Sequence, residues 1–490
     1  MKIPEEILGI IQKLNQAGFE AYIIGGCVRD LVMGQNPKDW DITTNAKPEE
    51  IQKIFPDSFY ENKFGTVGVK VGNNENPPNA EIAEPIRVIE VTTYRIESKY
   101  TDKRHPDQIK FADTLAEDLK RRDFTVNAMA MDADGKITDL FGGREDVKNK
   151  IIRAVGDPAE RFNEDALRML RAVRLAVGLG FTIGTDTLSA IKAKHELLKM
   201  ISKERIRDEF VKIISSDSAD SGVELLRQTE LIKHVVPELL EGVGVGQNLH
   251  HIYTVWEHNL RALKYTCEKK YPFAVRLASL LHDVGKPRSK RGEGRNSTFY
   301  GHEVVGARMT AQIMDRLKFP KDVSEKIIKL VRHHLFYYNV GEVTESSVRR
   351  LVANIGKENV EDLLKVREAD RIGSGVPKAI PYKLRHLKFM IGKVARDPIS
   401  PKMLKLNGDD IMGLLTIEPG PKVGMIINAL MNEVLDDPAR NDREYLKERA
   451  VELNVMSQNK LTKLAQAGKE KISGEEEKEI EKIKEKYYVQ

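Results

Sequence analysis

Asp39 and Asp41 flank Trp40. In an extended strand alternate side chains share a face, so the two carboxylates would project together ~6.5 Å apart while the indole turns away. Acids held side by side repel each other, and a divalent cation between them removes the repulsion. Hard ions such as Mg²⁺ prefer carboxylate oxygens, and a bridged pair of them suits chemistry at phosphorus. Just upstream, Gly25-Gly26 ends one predicted strand and opens a helix, where free backbone N–H groups can cradle phosphate. A second constellation lies far downstream: His258, His282-Asp283, His302, His333-His334 and Asp370 recur in order, and seven of the eleven histidines fall between His250 and His334. Imidazole suits transition metals, and a carboxylate can bridge two ions. An isolated D-x-D is usually solvated surface and a lone histidine usually structural, so the weight rests on the ordered combinations.

These residues need rigid elements beneath them. Residues 4–14 carry Ile7, Leu8, Ile11 and Leu14 at helical spacing and stop before Gly18. Strands are predicted over 21–24, 40–43, 67–71 and 86–94, with helices over 28–33 and 48–55 and a turn-rich 73–79. Beyond Gly143 strand signals nearly vanish. The fold class is therefore α+β: an N-terminal head with a small β-sheet, followed by all-α segments. Composition shifts put borders at 1–143, 144–245, 246–375 and 376–460. The Lys- and Glu-rich 461–490 reads as a solvated helix or frayed tail, broken at Ser473-Gly474.

Composition excludes several classes. At 490 residues, 41% hydrophobic and 31% charged, wholesale disorder is ruled out. Lys and Arg total 79 against 74 Asp and Glu, a net +5, so any nucleic-acid surface must be a local patch. Cys27 and Cys267 cannot form a disulfide framework, which fits a reducing, cytoplasmic setting, and Cys27 reads as a small packing residue. No apolar run approaches the ~20 residues of a spanning helix, so no membrane partner is expected.

GGCVRD at 25–30 followed by Asp39-Trp40-Asp41 resembles the head signature of the DNA polymerase β superfamily of nucleotidyltransferases. RRDFTVNAMAMD at 121–132, Asp139-Leu140-Phe141-Gly142-Gly143 and GDPAERFNEDALRMLRAVRLA at 156–176 resemble, in order and spacing, the remaining motifs of class II CCA-adding tRNA nucleotidyltransferases and bacterial poly(A) polymerases. The resemblance implies that Asp39 and Asp41 hold Mg²⁺ for nucleotidyl transfer, with Glu90 as the third acid. It implies that Gly25, Gly26, Arg29, Arg121, Arg122, Asp123 and Asn127 meet the triphosphate and ribose of CTP or ATP, that Arg161 brackets the pocket, and that tRNA is the partner. Asp165 and Arg168 lie three apart in a helical segment and should share a face. An ionised Asp only accepts hydrogen bonds and Arg only donates them, a pattern that matches the amino-donor and ring-acceptor edges of C and A and rejects U and G. The basic run Arg168, Arg171 and Arg174, with Lys192, Lys194, Lys199, Lys203, Arg205 and Arg207, is expected against the tRNA backbone.

Within that family, full CCA addition is expected. The long 97–118 interval, with Arg104-His105-Pro106, looks like the loop that CC-only enzymes lack. The basic Gly-[Lys/Arg]-[Lys/Arg]-Phe element of poly(A) polymerases is replaced by Lys63-Phe64-Gly65-Thr66-Val67. A-only addition and poly(A) synthesis are the alternatives, and a nucleotide hydrolase built on the downstream histidines, with an inactive head, is the third reading. Leu280-Leu281-His282-Asp283-Val284-Gly285-Lys286, closed by Glu368-Ala369-Asp370, resembles the HD superfamily of metal-dependent phosphohydrolases. This implies a transition-metal site built from His258, His282, Asp283, His302, His333 and Asp370, with His334 the alternative to His333. The reaction implied is hydrolysis of phosphomonoesters or 2′,3′-cyclic phosphates.

Overall fold

A computed structural model describes residues 3–62, 65–71, 87–98, 108–248, 252–336, 338–394 and 404–487. Lys63-Phe64, the 73–79 turn and Arg104-His105-Pro106 therefore lie outside the described residues. The chain divides into two compact units, residues 1–335 with 362–377, and residues 336–361 with 378–490.

In the first unit, helix Glu5–Gln16 buries Ile7, Ile10, Ile11 and Leu14, the stripe its spacing predicts. A seven-stranded sheet follows, built from β1 (Ala21–Ile24), β2 (Asp41–Thr44), β3 (Ser58–Asn62), β4 (Thr66–Val71) and β5 (Arg87–Thr93), closed by β8 (Met129–Met131) and β9 (Ile137–Asp139). The separate pair β6 (Arg95–Ser98) and β7 (Gln108–Phe111) lies between them in sequence. The strand order is β3-β4-β5-β2-β1-β8-β9, with β2 and β5 parallel and the remaining neighbours antiparallel.

Register explains why one face of this sheet carries chemistry. Val67, Val91, Ile42 and Ile23 oppose one another across β4, β5, β2 and β1, and all four are fully buried. Side chains alternate along a strand, so the next row, with Asp41 opposite Glu90, turns to the other face. The apolar row anchors the sheet, and its alternation aims the acids.

One expectation about β2 fails. The strand begins at Asp41, and Asp39 sits in a bend before it, so strand alternation does not orient the pair. The β1–β2 ladder runs only from Ala21–Thr44 to Ile23–Ile42, because β1 ends where Gly25 turns to φ +85°.

Beyond the sheet the first unit is helical, including Pro158–Glu164, Leu167–Leu179, Lys203–Ile214, Ala219–Gln228, Val255–Glu268, Phe273–Leu281, His302–Arg316 and Lys321–His333. Among the described residues no helix is long and apolar enough to cross a membrane. In the second unit, Leu406, Ile411, Ile426, Leu430, Leu446, Leu453 and Leu461 form one core. The closing helix, Gln458–Tyr487, runs through Ser473-Gly474 without the expected break. Its first turns are packed rather than solvated: Leu461, Ala465 and Gly468 are buried, and a Cβ on Gly468 would stand 2.1 Å from the Asn428 carbonyl oxygen. The small residues at 465 and 468 let this helix cross Pro421–Asp436 closely, which composition alone obscures.

Candidate active site and metal centre

Residues from three distant stretches converge where the inner strands β1 and β2 end and begin. Gly25 has φ +85°, and a Cβ there would lie 3.2 Å from Arg122 Nη1 and 3.8 Å from Asp41 Oδ2. Burial pushes the Asp41 carboxyl above the usual carboxylate range; Arg122 pulls it back and Asp39 pushes it up again, for a net rise. The charge of Asp39 thus reaches Asp41 although only Asp41 is in the strand. An acid pair under that strain is a fitting donor set for a divalent cation, whose charge would relieve both the repulsion and the desolvation.

The arginines are held by Asp118, which sequence reasoning did not single out. Its carboxylate is fully buried and accepts from Arg121 Nε at 2.9 Å and Nη2 at 2.6 Å, from Arg122 Nη2 at 3.3 Å, and from Thr43 Oγ1 at 3.3 Å. Burial alone would raise its pKa, but the two guanidinium groups outweigh it and hold the carboxyl below the usual range. The signal was present in the sequence: on helix Leu115–Lys120 and its cap, an acid three and four residues before paired arginines lies on their face. Asp123 is arranged alike, accepting from Arg171 Nε at 2.7 Å and from the Phe124 amide at 2.8 Å; burial is overcome by Arg171 and Arg168, and the carboxyl is lowered. Arg29 Nη1 donates to Asn127 Oδ1 at 2.7 Å, tying two motifs 98 residues apart.

Carboxyls lowered in the folded state stabilise it above the unfolded pKa of ~3.9, and that stability is lost as pH falls through the unfolded and then the folded value. The melting temperature should therefore hold between pH 7 and about 5 and drop below pH ~4. Asp118→Asn should flatten part of that drop while costing about 3–5 kcal/mol at neutral pH, because two half-buried arginines lose their anion. Thermal melts across pH for the two proteins check both parts; parallel curves would remove Asp118 from this role.

The expected shared helix face of Asp165 and Arg168 is not formed. Helix Pro158–Glu164 ends at Asp165, which is extended at φ −136°, ψ 105°, and a new helix starts at Leu167. Asp165 Oδ1 accepts from the Leu167 amide at 2.9 Å, so the side chain caps the new helix and breaks the old one. Its Oδ2 accepts from Arg205 Nη2 at 2.8 Å, while Arg168 donates to Glu164 and to the carbonyls of Arg161 and Arg121. Arg161 donates to the Lys120 carbonyl at 3.2 Å. The predicted basic face is likewise neutralised from within: Arg168 pairs with Glu164, Arg171 with Asp123, Arg174 with Glu209 and Arg205 with Asp165. Lys192 and Lys199 stay exposed. The Asp139 motif caps a helix, its oxygens accepting the Gly143 and Arg144 amides at 2.8 and 2.9 Å. Cys27 is buried and its thiol is pushed up to about 11, a packing residue as read.

The downstream histidines and aspartates form two clusters that share one carboxylate: His258, His282, Asp283 and Asp370, and Asp283, His302 and His334. Asp283 Oδ2 lies 3.1 Å from His258 Nε2 and 3.2 Å from His282 Nε2; its Oδ1 lies 3.3 Å from His302 Nε2 and 3.6 Å from His334 Nε2. Three rings are oriented by backbone carbonyls at Nδ1: His282 by Ser279 at 2.7 Å, His302 by Phe299 at 2.8 Å and His334 by Val331 at 2.7 Å. That contact assigns the proton to Nδ1 and leaves Nε2 to face inward. His258 and His282 bring their Nε2 atoms within 2.8 Å, an approach that needs a proton or a metal between them. The donor set fits divalent metal ions, with Asp283 common to both clusters.

His334, not His333, completes the second cluster. One residue turns a helix by ~100°, and His333, the last residue of its helix, stands outside both clusters while His334 is buried within. Burial lowers both of their pKa values. Lys286, also missed, places Nζ 2.6 Å from Asp283 Oδ2 and 2.6 Å from Gln247 Oε1. The cavity over the centre is lined by Lys286, Tyr300, Arg367 and Arg371 beside the ligands.

Three family models match in order: the poly A polymerase head domain over 21–153, the probable RNA and SrmB-binding site of polymerase A over 180–242, and the HD domain over 251–372. A CCA-adding enzyme of Ligilactobacillus salivarius is 34% identical over 456 residues, covering 92% of this chain and 98% of that one. The chain belongs to the CCA-adding enzyme family. A relative in Lactobacillus helveticus is 48% identical, but over 238 residues, 48% of this chain and 56% of that enzyme. Among solved structures, the Bacillus stearothermophilus CCA-adding enzyme in complex with CTP superposes with a TM-score of 0.55 at 29% identity, covering 93% of this chain and 98% of that one. Family membership makes this a nucleotidyltransferase with an HD domain behind its head and RNA-binding segments.

Proposed function

We propose that this chain adds C, C and A in turn to the 3′ end of tRNA, taking CTP and ATP and using no nucleic-acid template. The observation that carries the reading is the meeting of Gly25, Asp41 and Arg122 around one point, since a side-chain-free backbone, a carboxylate and a guanidinium together suit a metal-bound triphosphate. Asp39 and Asp41, with Glu90 in register beside them, would hold Mg²⁺. When bound there, Mg²⁺ would supply acidity to the attacking 3′-hydroxyl and positive charge to the departing pyrophosphate. Gly25 and Gly26 leave room for phosphate against the backbone, Arg29, Arg121 and Arg122 meet its charge, and Asp123 and Asn127 orient the ribose side through Arg171 and Arg29. Residues 1–143 would carry this chemistry, 144–245 the base-reading and tRNA-binding helices, 246–375 the HD centre and 376–460 a helical tail.

Base choice falls to Asp165 and Arg168, which would exchange Arg205 and Glu164 for the edge of the incoming base, with Arg161 bracketing it. A site that hydrogen-bonds its substrate rejects the wrong pattern strongly, by up to ~10⁴-fold, because buried polar groups are left unpaired. Asp165→Ala should therefore narrow the preference for C and A over U and G by roughly 10²-fold or more, with far less effect on metal dependence. Unchanged base choice in single-turnover incorporation would sink this role.

The test of the whole reading is to incubate the protein with tRNA lacking CCA and each labelled NTP, alone and together, and to sequence the extended ends. CCA ends support it, A-only or long A runs transfer it to the alternatives, and absence of extension overturns it. A second reading stands beside it rather than against it. A buried, carboxylate-bridged centre under Lys286, Arg367 and Arg371 suits hydrolysis of a phosphomonoester or a 2′,3′-cyclic phosphate, with a transition metal as its cofactor.

A further inference from the structure

A third group of metal-competent side chains lies outside both sites. His195 Nδ1 and His234 Nε2 are 3.1 Å apart, and Glu196 Oε1 is 3.8 Å from each. A point equidistant from three atoms so spaced lies about 2.1 Å from each, the distance of zinc to imidazole nitrogen and carboxylate oxygen. That point lies in the plane of the three donors; tetrahedral ligands at that radius stand ~3.3 Å from one another, so the exposed Glu196 carboxylate closes in by about 0.5 Å when the ion binds. We infer that His195, His234 and Glu196 form a transition-metal site, with Zn²⁺ the fitting ion and a water in the fourth position.

What surrounds the triangle supports this. His195 turns its other ring nitrogen, Nε2, toward Glu230 Oε2 at 3.5 Å, and a proton held on that side would leave Nδ1 with its lone pair toward the ion. Glu230 follows the C-cap of helix Ala219–Gln228 and takes the left-handed conformation at φ 63° that ends it. Lys233 pairs with Glu230, and Lys199 pairs with the other oxygen of Glu196, so both carboxylates are kept ionised and aimed. The rings themselves are stacked at 5.3 Å and mostly buried, His234 nearly completely, which fixes their separation. Two neutral imidazoles sharing one hydrogen bond would explain the 3.1 Å contact alone. They would leave unexplained a carboxylate oxygen standing 3.8 Å from both nitrogens.

The ligands come from the 3₁₀ turn His195–Met200 and the helix Ile232–Val235, 39 residues apart and both inside the segment that matches the RNA-binding model. A metal there would clamp these two elements together without entering either reaction.

The experiment compares the full wild-type chain with His195→Ala and with Glu230→Gln, each stripped with chelator and then titrated with Zn²⁺ alone against a competing indicator. Wild type should bind one zinc more than His195→Ala, whatever number the HD centre takes up. Glu230→Gln should weaken that same zinc about 10–100-fold. With Co²⁺ in place of zinc, the visible tetrahedral absorption of wild type should lose one site's share in His195→Ala. Equal stoichiometry and equal affinity in all three proteins would overturn the proposal. A His195→Ala chain that no longer melts like chelated wild type is replaced by Glu230→Gln as the deciding variant, and an unchanged affinity there likewise overturns it.

Discussion

Asp41→Asn should lower the rate of nucleotide addition to truncated tRNA by about 10³-fold or more while leaving the protein as stable as before, or slightly more stable. The first half follows from charge. Asparagine keeps the shape but halves the anionic charge of the Asp39 and Asp41 pair, and metal stabilisation of developing charge is worth several kcal/mol, about tenfold for each 1.36 kcal/mol. The second half follows from the direction of the Asp41 shift. Its carboxyl is raised in the folded state by burial and by Asp39, against Arg122, so at neutral pH the ionised form opposes folding. Replacing it with a neutral group removes that opposition. Single-turnover extension with CTP and ATP, paired with thermal melts, reads both outcomes. A variant that loses activity and melting temperature together would mark Asp41 as structural, and one that extends tRNA at the wild-type rate would dismantle the active-site reading.

Asp283→Ala should strip the HD centre of its metals, to below about a tenth of the wild-type content after dialysis, because one carboxylate serves both clusters. Oδ2 faces His258 and His282 and Oδ1 faces His302 and His334, whereas Asp370, the other acid of these clusters, belongs to the first alone. The loss extends to stability. Burial disfavours a charged His282, but Asp283 and Asp370 outweigh it and push its pKa up to about 10; Lys286 leans on the same oxygen. Removing the anion leaves buried cations uncompensated, at about 3–5 kcal/mol. His302→Ala is the milder control: it should empty the second cluster and leave Asp283 with His258, His282 and Lys286. Metal content by elemental analysis, together with hydrolysis of a 2′,3′-cyclic nucleotide, checks both variants. Retained metal in Asp283→Ala would refute the shared bridge. Because metal uptake must displace the proton held among these imidazoles, affinity should rise with pH.

Some of this was legible in the sequence for a local reason. Helix Glu5–Gln16 and strand Ala21–Ile24 follow from apolar spacing and a glycine stop, and Asp283 and Asp370 stand out because ligand chemistry restricts residue type. Where local rules failed, a neighbour distant in sequence had changed the backbone or taken the side chain. Asp39 fell outside β2 because β1 ends at Gly25. Asp165 broke a helix that its spacing with Arg168 assumed, by capping the next one and binding Arg205, 40 residues on. Helical phase at the end of Lys321–His333, which a one-residue shift reverses, chose His334 over His333. Residue type and order thus determined by themselves the α+β head, the family of chemistry and most of the metal-competent side chains, since these depend on what each group can donate, accept or ligate. Packing between segments alone set that Arg171 answers Asp123, that Arg205 answers Asp165, and that His195 and Glu196 meet His234, because those pairings depend on distances that no local pattern encodes.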